Sequence, residues 1–331
     1  MTDTATTGAA RGPGRLARLR GLVLGHPVYA TLLGCVLILI LGETVSPGFA
    51  SLKQIVAQLT VAAILALVAA GQGIVILSGR EGIDLSVGSV MSLAALMAGD
   101  VMDGQNAMIL PALLAAVGIG FAVGLFNGVG VTVMRIAPLV MTLGTAGVIT
   151  GLLVVLTQGA NSGSAAPALV RFVTKPVALG IPGVILVWAL VILAMHLLLR
   201  RTRFGYALYA IGSNDRAAAL AGIRVRLVRT LAFGVSGAFA GFAGFVLLGY
   251  TTSVFVAAGE QYILPSVIAV VIGGTLLSGG RGTYTGSAAG AAFLTFLTAL
   301  LTAVSLSPAD RQVVYGIVLI GFMILYGREK T

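Results

Sequence analysis

The segment GREGIDLSVGS, Gly79 to Ser89, is the densest polar cluster between two apolar runs of this chain. Asp84 is its chemically distinctive member. A carboxylate here caps the next helix if it accepts backbone N–H bonds at the helix start, where the helix dipole also favours negative charge. Left unpaired in hydrocarbon it would cost roughly 2.5–3.5 kcal/mol. Asp84 is therefore capped, paired or facing water. In the alternative reading Asp84 and Ser86 line a gate or fix its hinge, with Gly82, Gly88 and Ser89 completing the candidate set.

Seven further polar residues stand out inside apolar runs: Gln58, Gln72, Asn127, Thr142, Thr145, Ser236 and Thr275. Each reads either as a helix–helix hydrogen bond or as a contact on a transport pathway. None is ionised. Proton- or sodium-driven transporters carry acids or histidines in mid-membrane, whereas here the acids fall at run ends or in loops, so the energy source is expected outside this chain.

Catalytic residues are not found. The two histidines, His26 and His196, stand far apart at run edges and make no metal site. No G-x-x-x-x-G-K-[ST] loop, H-E-x-x-H helix or G-x-S-x-G elbow occurs. The chain is not itself a P-loop ATPase, and no cofactor is expected on it.

The second candidate site is basic. Arg200 to Arg229 holds seven of the 20 Lys+Arg. Ser213 or Asn214 starts a short helix, Asp215 to Ala221, rich in the best helix former, and Gly222 stops it. At roughly 10 Å it is too short to span a bilayer. Ala217, Ala218 and Ala221 give it a low-relief apolar side, and Arg216, Arg224, Arg226 and Arg229 hold it near anionic headgroups. It is either a surface helix lying on the membrane or a knob for a cleft on a soluble partner.

The elements that position these sites follow from hydropathy. The chain is 58% hydrophobic and 9% charged, against about 25% charged in soluble domains. It reads as an all-α, polytopic transmembrane bundle. Ten apolar runs approach the roughly 20 residues a span needs: 28–43, 54–79, 87–101, 107–130, 138–158, 181–199, 231–251, 263–279, 283–304 and 312–327. The third is short, so eight to ten spans are compatible. The expected organisation is a cytoplasmic tail over 1–27, a transmembrane domain over 28–327 carrying a cytoplasmic loop at 200–230, and a tail over 328–331.

Ten crossings with a cytoplasmic N-terminus put 16 of the 20 Lys+Arg inside and leave Lys53, Arg171, Lys175 and Arg311 outside. This matches the positive-inside bias and places both termini in the cytoplasm. The net charge of +10 is spread over these short loops, which argues against nucleic acid. The lone Cys35 allows no disulfide framework within one chain.

Glycines at 120, 124 and 128, at 234, 237, 241 and 244, and at 282, 286 and 290 form stripes where backbones approach closely. They pack the bundle or provide faces that slide. Leu77–Gly79 also echoes Leu277–Gly279, a match too short to establish a repeat.

With these motifs the chain resembles the membrane permeases of bacterial sugar ABC importers, the ribose/xylose/arabinose type, from about Val28 to Arg328. GIDLSVGS (82–89), NGVGVTVMRIAPLVMTLGT (127–145), AIGSNDRAAALAGIRV (210–225) and AVVIGGTLLSGGRGTYTG (269–286) carry the likeness. Glu81, where many relatives have glycine, departs from the pattern. The resemblance implies a pore subunit in the bacterial cytoplasmic membrane, paired with a second permease chain, either identical or a paralogue. It implies a cytoplasmic ATPase with duplicated nucleotide-binding halves that carries ATP and Mg, and an extracytoplasmic sugar-binding protein. Asn214, Asp215, Ala217, Ala218, Gly222 and Ile223 fall on its ATPase-docking loop. The resemblance does not name the sugar. A branched-chain amino-acid permease is the alternative within transport, a secondary transporter a weaker one, and a membrane enzyme the weakest.

Overall fold

The computed structural model describes residues 27–80, 82–158, 163–178 and 180–327. The tail before Pro27, with its four arginines and His26, lies outside the described residues, as do Glu81 and 328–331.

The described chain is a helical bundle. Its helices are α1 (Pro27–Val45), α2 (Leu52–Leu77), α3 (Val87–Met102), α4 (Ile109–Thr132), α5 (Pro138–Thr157), α6 (Pro167–Thr174), α7 (Gly183–Arg201), α8 (Arg203–Ser213), α9 (Asp215–Leu220), α10 (Val225–Thr251), α11 (Ile263–Ile272), α12 (Tyr284–Ala303) and α13 (Pro308–Gly327). Short 3₁₀ turns precede α4 and α11, and one small antiparallel hairpin, Pro176–Ala178 with Ile181–Pro182, precedes α7. Seven helices among the described residues are long and apolar enough to cross a membrane: α1, α2, α4, α5, α7, α10 and α12.

Each of the ten apolar runs contains a helix, and one is shorter than its run suggests. α3 has 16 residues, as its short run leads one to expect, whereas α11 has only 10, against roughly 20 for a span. The run 263–279 stops being helical at Ile272. Thr275 to Gly282 forms glycine turns instead, with Gly274, Gly279 and Gly280 at positive φ. Hydropathy alone cannot see this stop, because glycine is apolar but frees the backbone. In the other direction, α10 starts at Val225, ahead of the expected 231, so Arg226 and Arg229 belong to a helix rather than to a loop.

α2 is the axis. Ser51 caps its start by accepting from the Gln54 N–H, and 26 residues at 1.5 Å give it about 39 Å. From Ala62 to Leu77 it is wholly buried. α10 packs along α4 and against α3 and α2, while α12 packs on α2, α1 and α11. α1, α4, α5, α7 and α13 form the outside and expose Leu37, Leu114, Val155, Leu190 and Ile320, as a lipid-facing surface does.

The glycine stripes set the spacing. A Cβ at Gly120 would stand 2.2 Å from the Gly237 carbonyl oxygen, and one at Gly124 2.2 Å from that of Phe233. The α4 stripe therefore lies directly on the α10 stripe, backbone against backbone. Gly286 and Gly290 do the same for α12 on α11, opposite Gly273 and Ala269. Gly282 precedes α12 and has φ +152, so it belongs to the turn and not to the stripe.

Candidate functional site

The non-helical segment between α2 and α3 enters the bundle interior. Irregular backbone at such depth survives only where protein satisfies its polar groups. Here the groups come from five helices. Asp84 is 1% exposed. Its Oδ1 accepts from the Ser86 N–H at 3.0 Å and from Ser86 Oγ at 2.6 Å. Its Oδ2 accepts from Ser236 Oγ on α10 at 3.2 Å. Gln72 on α2, with its amide oriented to satisfy both partners, bonds the Asp84 backbone C=O and N–H, each at 3.2 Å.

The chain of bonds continues outward. Asn127 Nδ2 on α4 donates to Ser86 Oγ at 2.8 Å. Thr145 Oγ on α5 is 2.6 Å from Asn127 Oδ1 and 3.0 Å from the Met141 carbonyl, which share its one proton. Thr142 Oγ accepts the Leu85 N–H at 3.1 Å. Ser89 Oγ closes the first turn of α3 on the Ser86 carbonyl at 2.9 Å.

Gln72, Asp84, Ser86, Asn127, Thr142, Thr145 and Ser236 thus form one buried network. Asp84 is neither unpaired nor exposed to water, and among the described residues no cation pairs with it. Its acceptors are filled by a loop N–H and two hydroxyls. Thr275 lies apart from the network, packed beside Gly282 in the turn before α12. Gly88 packs on Gly259, where a Cβ would meet the Gly259 oxygen at 2.8 Å. Gly82 sits over the last turn of α2, against the Val75 carbonyl. The network's side chains are all buried, and its bonds run between helices.

The second site lies just beyond the C-terminal end of α2. Asn214 is the cap of α9, its Oδ1 accepting from the Ala217 N–H at 3.0 Å. Gly222, at φ +83, ends the turn, and the Ile223 N–H bonds back to the Ala218 carbonyl at 3.1 Å. Ala218 is 4% exposed and faces inward. The outward side is carried by Ala217, Ala221 and Leu220, which is 91% exposed. The sequence reading passed over Leu220, although a lone leucine in an alanine-rich turn is a visible signal.

It also passed over α8. Thr202 caps this helix on the Gly205 N–H at 3.1 Å, and Leu208 and Ile211 bury its inner face. Gly212 lets α8 touch the Leu77 carbonyl and Gly280. The two Leu-Ser-Gly segments meet at this point: the Gly280 N–H donates to the Leu77 carbonyl at 3.1 Å, and Gly279 lies on Gly79.

Two arginines tie the sites together. Arg80 pairs with Asp215 at 2.5 Å, joining the segment that carries Asp84 to the first residue of α9. Arg229 departs from the expectation that it lies near headgroups. It is 7% exposed, and its Nη2 donates to the Ser78 carbonyl at 3.0 Å. A guanidinium suits this place, because the negative end of the α2 dipole lies there and the carbonyl of its capping residue Ser78 takes the bond. Arg80, Arg135, Arg216, Arg226 and Arg229, with Asp215 as the acid among them, line a cavity of about 570 Å³ between α9 and the starts of α5 and α10.

The chain matches the family model described as "Branched-chain amino acid transport system / permease component" over residues 54–323. The ribose import permease protein of Bacillus subtilis (strain 168) is 35% identical over 301 residues, 90% of this chain and 92% of its own length. The ribose import permease protein of Escherichia coli (strain K12) is 31% identical over 303 residues, 91% and 94% of the two chains. The autoinducer 2 import system permease protein of Yersinia enterocolitica (strain NCTC 13174 / 8081) is 35% identical over 269 residues, 81% and 74%. No solved structure matches. With most of its length matched and with import permeases as relatives, the chain belongs to this family of transport-system permease components.

Proposed function

We propose that this chain is the pore-forming subunit of an ATP-driven importer that moves a sugar by alternating access. The observation that carries the reading is the linkage Asp215–Arg80–Asp84. The short exposed helix α9 is ion-paired to the same segment whose buried network holds α2, α3, α4, α5 and α10. A push on α9 therefore reaches every helix that must rock.

In this reading a cytoplasmic ATPase with duplicated nucleotide-binding halves, which carries ATP and Mg, seats its cleft over Leu220, Ala217 and Ala221. The arginine-lined cavity attracts acidic groups on its rim. Hydrolysis takes place on that partner and not on this chain. A sugar-binding protein docks at the opposite end, and a second permease chain completes the pore. Ten crossings (α1, α2, α3, α4, α5, α7, α10, α11, α12 and α13), the ten-residue α11 being completed by the turn that runs on to Gly280 beside the end of α2, place both termini in the cytoplasm of a bacterium, with this chain in its cytoplasmic membrane. Sugar rather than a branched-chain amino acid is favoured by the named relatives, two of which are ribose permeases.

The test is a charge exchange in the assembled transporter. Arg80→Asp or Asp215→Arg alone lowers sugar uptake per ATP hydrolysed, and the double exchange restores it. Leu220→Asp reduces co-purification of the ATPase. Full uptake in both single variants refutes the linkage, and full co-purification with Leu220→Asp refutes the docking face.

A further inference from the structure

At the other end of α2 a cavity of about 750 Å³ opens between the 46–49 turn, the first turns of α2, the turn before α11, the end of α12 and the start of α13. It belongs to neither site above. It runs down α2 from Gln54 to Leu65, about 16 Å, and stops where α2 is wholly buried. Its volume is that of a small-ligand pocket.

Its lining is the reason to assign it. Gln54, Gln58, Glu260 and Gln312 face it. Among the described residues none of these four side chains makes a hydrogen bond or ion pair. Arg311 spends only its Nε, on the Leu306 carbonyl at 3.0 Å. Gln54 and Gln58 are half-buried and Glu260 and Gln312 exposed, so this wall stays open to water and to a ligand from outside. Each amide offers a donor and an acceptor side by side, the pattern of two adjacent hydroxyls on a sugar ring. Phe49, Tyr262 and Tyr315 supply flat apolar surface for the C–H face of such a ring. Glu260 and Arg311 cancel in charge, so the cavity does not select ions. The arginine-lined cavity at the far end, by contrast, is strongly cationic. A branched-chain amino acid fits poorly, because its side chain would leave the glutamine amides unpaired.

We propose that this cavity is the polyol-binding vestibule of the chain, where a neutral pentose or hexose is received before the pore opens inward, with Gln54, Gln58, Glu260 and Gln312 as its hydrogen-bonding residues. The assignment rests on the sugar-importer reading. The experiment uses the assembled transporter in proteoliposomes, with its ATPase and binding protein. The chain's one cysteine, Cys35, is buried, so a cysteine placed on the cavity wall by Thr302→Cys is reported selectively by a membrane-impermeant maleimide. Labelling from the binding-protein side is expected to slow at least about three-fold when D-ribose or D-xylose is delivered, and not with L-leucine. Gln58→Leu is expected to lower the maximal uptake rate about three- to ten-fold, the loss of one neutral hydrogen bond, while ATPase co-purification stays at the wild-type level. A wild-type transporter that takes up no sugar refutes the importer reading. One that takes up sugar, yet shows no protection of Thr302→Cys or shows protection by L-leucine, refutes the vestibule alone.

Discussion

Replacing Asp84 separates an acceptor from a charge. Its carboxylate takes three bonds, from the Ser86 N–H, Ser86 Oγ and Ser236 Oγ. Asp84→Ala leaves three buried donors without a partner, at about 1–3 kcal/mol each. Ser236 is in a helix and recovers part of its loss by turning its hydroxyl to a carbonyl one turn back. Removing the carboxylate also removes the cost of burying it, which offsets a further part. The net expectation is a loss of about 3 kcal/mol, or roughly 4 °C in Tm for a protein of this size. Asp84→Asn keeps the shape. Its Oδ1 accepts both Ser86 protons, and its Nδ2 donates to Ser236 Oγ once that hydroxyl rotates. It is expected within about 1 kcal/mol of wild type, with uptake retained. Thermal unfolding in lipid nanodiscs and sugar uptake in proteoliposomes read the two variants. If Asn falls as far as Ala, the charge and not the hydrogen bonding holds the network. If Ala costs nothing, the network does not bind the helices.

Other perturbations follow from single contacts. Gly124→Ala drives a methyl to 2.2 Å from the Phe233 oxygen, so α4 must part from α10 at a cost of about 1–3 kcal/mol. Gly316→Ala, which meets nothing within 4 Å, is the control and should be neutral or stabilising in the same unfolding assay. Arg229→Ala removes a charged hydrogen bond from the end of α2 and should cost about 1.5–3 kcal/mol. Because the bond is buried, the loss should persist in high salt, and a loss that vanishes with salt would place Arg229 at the surface. Asn214→Ala strips the cap from α9 at about 1 kcal/mol, which should weaken ATPase co-purification about five-fold while global unfolding stays unchanged.

Much of the fold is legible in the residues because lipid imposes a simple rule: the backbone must bond to itself, so apolar runs become helices. The stop at Ile272 is not legible in that way, since Leu276 and Leu277 carry the uncharged run on to Gly279 and hydropathy does not register the backbone freedom of the glycines between them. The docking segment shows both cases. Asn214 and Gly222 mark α9 by local chemistry. That Ala218 turns inward and Leu220 outward depends on what α8 leaves uncovered, which no local rule supplies.

The sequence by itself determined that this is a membrane bundle, where its long apolar helices lie to within a few residues, and which side chains were too polar to be idle. Hydropathy, caps and glycines act over a few residues, so they can be read in order along the chain. Only the tertiary structure decided that Gln72, Asp84, Asn127, Thr145 and Ser236 make one network, that Arg229 closes α2, and that Arg80 ties the network to α9. These bonds join residues 12 to 152 positions apart. Their geometry is fixed by glycine-to-glycine contact between helices, a property of faces in space that the order of residues does not contain.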